Sequence, residues 1–98
     1  MQQNFELNFN PDFKKSFKRF KKNNLRLAHK IEKILVLLKQ NPFYNSLISH
    51  RVATTKYGIC QSSRVTSDLR ILWEYNKSGM RILDILDIGG HSGKNKVY

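Results

Sequence analysis

The stretch "LRILWEYNKSGMRILDILDI" spans residues 69–88, and its reading decides the fold. Leu69, Ile71, Trp73 and Tyr75 alternate with Arg70, Leu72 and Glu74. A period of two predicts a strand with one face on a core. "NKSG" (76–79) is a hairpin turn in which Gly79 is expected to take positive φ. "MRILDILDI" (80–88) is apolar on both faces, as a central strand is. Just upstream, "GICQSSRV" (58–65) reads as a further strand and "TSD" (66–68) as its turn. The C-terminal half is therefore an antiparallel meander.

The N-terminal half has a different period. "NFELNF" (4–9) sets Phe5, Leu7 and Phe9 against polar neighbours, which predicts one half-buried strand. Asn10, Pro11 and Asp12 then form a helix start: a side-chain cap, a proline suited to the first helical position, and an acid at the positive end. Phe13, Phe17 and Phe20 follow at helical spacing. Asn23 and Asn24 break this helix and cap the next, which runs from Leu25 to Gln40 on a stripe of Leu27, Ile31, Ile34 and Leu38, ending before Pro42. The short connection predicts a helical hairpin with Phe13, Phe17 and Phe20 packed beside Ile31, Leu35 and Leu38. "NPFYNSLISHRV" (41–52) reads as an irregular connection anchored by Phe43, Leu47 and Ile48. The expected class is α+β: an N-terminal strand and a helical hairpin on a twisted antiparallel sheet, one domain over residues 1–98.

Eighteen Lys and Arg against seven Asp and Glu give a net charge of +11. Such a field attracts polyanions, whether nucleic acid, anionic membrane or an acidic protein. No apolar run approaches a membrane span. One cysteine, Cys60, excludes an internal disulfide and fits a reducing cytosol. His29, His50 and His91 have no close metal-ligand spacing. "DIGGHSG" (87–93) follows a strand but leads to no helix, so it is no phosphate loop.

What remains is a set of cations and proton carriers at strand ends: His50, Arg64, Arg70, Arg81, His91, Lys94, Lys96 and Tyr98. Metal-free RNA cleavage needs few parts. One group takes the 2′-OH proton, another protonates the leaving 5′-oxygen, and fixed cations hold the charge between them. Each residue also has a structural reading. Arg70 shares a strand face with Glu74, an obvious ion-pair partner. His29 reads as structural or solvent-facing, Cys60 as a small strand hydrophobe. Lys14, Lys15, Lys18, Arg19, Lys21 and Lys22 are either a solvated helix face or a basic rail for phosphates or an acidic partner.

The segments "HRV", "SSRVTSDLRILWEY" and "LDILDIGGHSGKNKVY" together resemble the RelE/ParE superfamily of bacterial toxins, nearest its RelE and YafQ-type mRNA interferases. The resemblance covers nearly the whole chain and implies a cytoplasmic, ribosome-dependent endonuclease that needs no metal or other cofactor. It implies mRNA and the ribosome as targets, an acidic antitoxin as partner, and no membrane. By this likeness Arg70 contacts the scissile phosphate. Arg64 and His50 match basic or histidine positions of the site, and Asp68 an acidic supporting one. His91 matches an acid/base, and Tyr98 an aromatic that stacks on a base. The lysines of the first helix with Arg19, and Arg81, Lys94 and Lys96, would meet RNA. The end departs from the usual pattern, because Gly93 to Lys96 separate "HS" from "VY", so Lys94 or Lys96 shares the work. The family's paired lysines on the first sheet strand are absent, with Gln61 and Ser63 near there. Two other readings share fold and charge: a ParE-like toxin acting on DNA gyrase, and a non-catalytic RNA-binding module.

Overall fold

The computed structural model describes residues 4–79 and 81–90. Five strands and two helices follow in the order β1 (Glu6–Phe9), α1 (Pro11–Asn23), α2 (Leu25–Gln40), β2 (His50–Thr54), β3 (Gly58–Arg64), β4 (Leu69–Tyr75) and β5 (Ile82–Gly90). The helix boundaries follow from their caps. The Asn10 side chain accepts the Asp12 amide at 2.9 Å, with Pro11 in the first turn. The Asn24 side chain accepts the Leu27 amide at 3.1 Å. Each cap satisfies a donor that the helix itself cannot.

The strands form one sheet in the order β1-β5-β4-β3-β2. β2 to β5 pair antiparallel, as the alternation predicts, while β1 lies parallel to β5. The class is α+β, with a helical hairpin and a mostly antiparallel sheet. Phe13, Ile31 and Leu38 from the helices join Leu69, Ile71, Trp73, Leu83, Ile85 and Ile88 from the sheet in the main core. Each such side chain stabilises the fold by about 1.5–3 kcal/mol when fully buried. Phe17, Phe20 and Leu35 pack against this core but stay half-buried, so Phe13 carries most of the aromatic stripe.

A β-bulge governs what β5 presents. Leu72 pairs with Asp87 but Trp73 with Ile85, which leaves Leu86 as an extra residue on β5. The insertion shifts the side-chain parity by one. Leu83 and Ile85 before it, and Ile88 after it, therefore reach the same core. Leu86 joins Leu72 and Cys60 in a second, smaller cluster flanked by Val52 and Tyr57. The pattern Ile-Leu-Asp-Ile-Leu-Asp-Ile (82–88) is thus not a strand that is apolar on both faces in simple alternation. Its period slips at Leu86.

Three local expectations are corrected. Residues 50–54 form the edge strand β2, where an irregular connection was expected, because His50 to Thr54 pair in unbroken register with Ser62 to Gly58. The left-handed residue of the last hairpin is Arg81, at φ 62, not Gly79. A Cβ at Gly79 would meet the end of the Ile82 side chain, which would have to shift. The connection after α2 is anchored by Leu47, which is fully buried, while Phe43 and Ile48 are exposed.

Candidate functional site

Register places the arginines. Arg64 on β3 lies directly opposite Arg70 on β4, and Arg70 lies opposite Gly89 on β5. Residues directly opposite share a sheet face. Ser62, two positions before Arg64, shares that face, and His50 on β2 lies opposite Ser62. His50, Arg64 and Arg70 therefore stand on one face, at the end of the sheet where β3 ends and β4 begins. Gly89 adds no side chain to that surface. Asp68 sits exposed on the turn between the two arginines, two residues before Arg70.

Arg70 is held rather than loose. Its Nη1 donates to the carbonyl oxygens of Thr66 at 2.6 Å and Leu69 at 3.2 Å. The turn that supplies these carbonyls is closed by Thr66, whose Oγ1 accepts the Leu69 amide at 3.0 Å. The ion pair with Glu74 is not made. Nε and Nη2 have no partner among the described residues, and they form the fork that grips a phosphate with two bonds. Arg64 and Arg70 stand opposite each other in register, and among the described residues no carboxylate pairs with Arg70, an arrangement that an anion would relieve.

His50 is oriented by its own loop. Its Nδ1 lies 3.0 Å from the Ile48 carbonyl oxygen. A carbonyl only accepts, so in the neutral ring the proton sits on Nδ1 and Nε2 keeps its lone pair. Ile48 reaches this position at φ 47, a costly conformation for a β-branched residue. A chain of hydroxyls holds it there. Buried Trp73 donates from Nε1 to Ser63 Oγ at 2.7 Å. Ser63 Oγ lies 2.5 Å from Ser49 Oγ, which donates to the Pro42 carbonyl at 2.6 Å. Each hydroxyl thereby gives one proton and takes one, and the core tryptophan fixes the loop that aims His50.

Arg81 lies at the opposite end of β5 from this group, with its guanidinium 4.2 Å from the centroid of Phe5. Lys14, Lys15, Lys18, Arg19, Lys21 and Lys22 are all exposed on α1. His91, Lys94, Lys96 and Tyr98 lie outside the described residues. The burial of Cys60 pushes its thiol up to about 11, which leaves it inert at neutral pH.

A second polar group was not foreseen from sequence. The Tyr57 hydroxyl lies 2.7 Å from Asp12 Oδ2 and 2.9 Å from Asp87 Oδ2. Ser16 Oγ donates to Asp87 Oδ1 at 2.7 Å, and the Ile88 amide does so at 2.8 Å. Lys56 Nζ pairs with Asp12 Oδ2 at 3.0 Å. The Tyr57 hydrogen bond, with the nearby Lys56, holds the Asp12 carboxyl below its usual range. Asp12 in turn raises Lys56. Burial, followed by the two carboxylates, pushes the Tyr57 phenol far above its ordinary value. The sequence signal for this group is a carboxylate, Asp87, set between Leu86 and Ile88 of a largely apolar strand.

A helical hairpin on a five-stranded, mostly antiparallel sheet defines the fold class. It is the fold of the RelE, YoeB and YafQ toxins. A YoeB/ParE toxin from Agrobacterium tumefaciens superposes with TM-score 0.71 and 18% identity over 89% of this chain and 99% of that one. YafQ in the DinJ–YafQ complex of E. coli gives 0.69 and 17% over 89% and 93%. The YoeB–YefM complex of Staphylococcus aureus gives 0.68 and 18% over 90% and 98%. No protein-family model matches this sequence, and no curated protein matches it at the sequence level. Among the described residues no helix is long and apolar enough to cross a membrane.

Proposed function

We propose that the chain is the toxin of a toxin–antitoxin pair and cleaves mRNA on the ribosome. The observation that carries this reading is Arg70, fixed by two carbonyls and opposite Arg64 in register, with no partner for its phosphate-gripping fork among the described residues. In the reaction the 2′-OH attacks the adjacent phosphorus while His50 Nε2 takes its proton. The bond to the 5′-oxygen breaks, and that oxygen receives a proton from His91, or from Lys94 or Lys96. The products are a 2′,3′-cyclic phosphate and a 5′-hydroxyl. Arg70 and Arg64 hold the non-bridging oxygens as negative charge builds. Asp68 supports the basic pair, and Tyr98 stacks on the base beside the cut. These side chains supply every proton transfer and charge, so the scheme routes no step through a metal or cofactor.

The +11 charge fits both an RNA target and an acidic antitoxin. Solved relatives of the same fold are complexes of YafQ with DinJ and of YoeB with YefM, which supports a protein partner here. The deciding test is cleavage of a reporter mRNA in a translating extract, with products mapped at the 3′ end. Arg70→Ala should lose cleavage while remaining folded by circular dichroism. Full cleavage by that variant sinks the reading. Growth arrest that persists without mRNA cleavage turns it toward the gyrase-directed alternative.

A further inference from the structure

We propose that Ser49 and Ser63 are positioning residues of the cleavage reaction, joined to Trp73 in a hydrogen-bond chain that fixes the Ile48 carbonyl and, through it, the imidazole of His50. This rests on the reading above, in which His50 Nε2 takes the 2′-OH proton. It adds the residues that decide where that nitrogen stands.

The chain has one possible sense. Trp73 Nε1 only donates, so Ser63 Oγ accepts from it at 2.7 Å. The Pro42 carbonyl only accepts, so the Ser49 hydroxyl gives its one proton there, at 2.6 Å. The bond between the two serines, at 2.5 Å, is then donated by Ser63. Ser49 Oγ is therefore held from both sides, by a buried donor and by a backbone acceptor.

Ser49 stands between the two residues that set the ring. The carbonyl that faces His50 Nδ1 at 3.0 Å belongs to the peptide joining Ile48 to Ser49. Its direction follows the Ile48 backbone, left-handed at φ 47, which a β-branched residue adopts at a cost. The Ile48 side chain does not hold that conformation, being 53% exposed. Leu47 anchors the segment one residue earlier, and strand pairing begins one residue later, where His50 meets Ser62. Between them the Ser49 hydroxyl ties the loop to the core. Ser63 receives that tie because it is fully buried opposite Ile71, while its neighbours Ser62 and Arg64 turn to the face that carries Arg70. Adjacent positions of β3 thus serve the phosphate grip and the base.

A purely structural role explains less. One hydroxyl is enough to satisfy the Trp73 N–H, and Ser63 supplies it. The second hydroxyl, and a chain that ends in the loop before His50, are left over. They follow if the loop must present His50 in one orientation and one tautomer.

The test measures cleavage of a reporter mRNA in a translating extract by the full chain, per folded molecule. Ser49→Ala leaves Trp73 its acceptor, yet should lower the maximal rate by about 10–100-fold, the scale of a misplaced reacting group. The concentration for half-maximal cleavage should hold, since Arg64 and Arg70 are untouched. Ser49→Thr, which keeps the hydroxyl, should recover most of the rate. In a His50→Gln background Ser49→Ala should cost nothing further, because it acts through that ring. Nitrogen NMR of the neutral His50 ring should place its proton on Nδ1 in wild type and on both nitrogens in Ser49→Ala. Undiminished cleavage by folded Ser49→Ala, where His50→Gln is impaired, overturns this proposal alone. An equal loss in both backgrounds does the same. Full cleavage by His50→Gln overturns it together with the assignment of the base. Should Ser49→Ala fail to fold, the wild-type spectrum decides, and a neutral ring protonated on Nε2 overturns the proposal.

Discussion

Two polar clusters sit close together on the sheet and have opposite character. Around Asp87, every group is answered: two donors reach Oδ1, Tyr57 reaches Oδ2, and Asp12 faces Lys56. Around Arg70, two residues away in register, the charge is positioned, and among the described residues none answers it. The difference separates polar residues that build the fold from those that await a ligand. A satisfied cluster joins α1, the β2–β3 turn and β5 into one body. The unsatisfied one uses that rigidity, since a guanidinium pinned by carbonyls loses little further freedom when phosphate binds.

The largest effect should come from the unsatisfied side. Arg70→Ala should lower cleavage by about 10²–10³-fold, the usual worth of one fixed donor to developing charge. Its unfolding midpoint in urea should barely move, because among the described residues the side chain bonds only to the local carbonyls of Thr66 and Leu69. Arg70→Lys should recover little, since an ammonium cannot hold both carbonyls and still offer a paired fork. An unfolded Arg70→Ala protein would erase the contrast between the clusters.

Asp87→Ala tests the satisfied side. It strips the Asp87 acceptor from Ser16 and the Ile88 amide at once, while Tyr57 keeps Asp12. The expected loss is about 1–3 kcal/mol of stability, the cost of leaving buried donors unpaired, read from the shift in urea midpoint. Cleavage per folded molecule should stay within a few-fold of wild type. A stable variant with no cleavage moves Asp87 into the reactive group and ends the division.

Much of the frame was legible because its signals are local. Asn10-Pro11-Asp12 marks a helix start wherever it occurs, and Asn24 caps the second helix through its own side chain. Leu69 to Tyr75 alternates without error. The misses depended on pairing partners. The bulge at Leu86 is a relation between β4 and β5, so the Asp84 and Asp87 spacing looked like a strand with two apolar faces. β2 was missed because "HRVAT" is short and sits at the edge, where Arg51 and Ala53 meet solvent. For the site, Arg64, Arg70 and His50 are legible as strand-end cations and proton carriers and take their roles from resemblance, while their shared face emerges only from register. The free fork of Arg70 could not be read at all. Glu74 is the carboxylate on the same strand, yet the carbonyls of Thr66 and Leu69 hold the guanidinium.

The smallest effect sharpens the contrast through pH. Tyr57 has one proton and two carboxylates within reach, so the folded protein holds the phenol neutral, with its pKa raised. A raised folded value means that this contribution is complete below the unfolded phenol value near 10 and is lost as pH rises beyond it. Asp12 has the reverse sign. Its depressed value gives a contribution present above the ordinary carboxylate range and lost as pH falls through its folded value. Tyr57→Phe removes the donor from both carboxylates. At neutral pH it should cost about 1 kcal/mol, the net worth of such a hydrogen bond. Melting temperatures from pH 7 to 11 should show wild type losing more above pH 10 than Tyr57→Phe does, so the two curves converge. From pH 5 to 3 the variant should also lose less, because Asp12 no longer needs its charge to keep that bond. Parallel curves at both ends would mean that the tyrosine only fills space, and that the cluster is held by Lys56 and Ser16 without it.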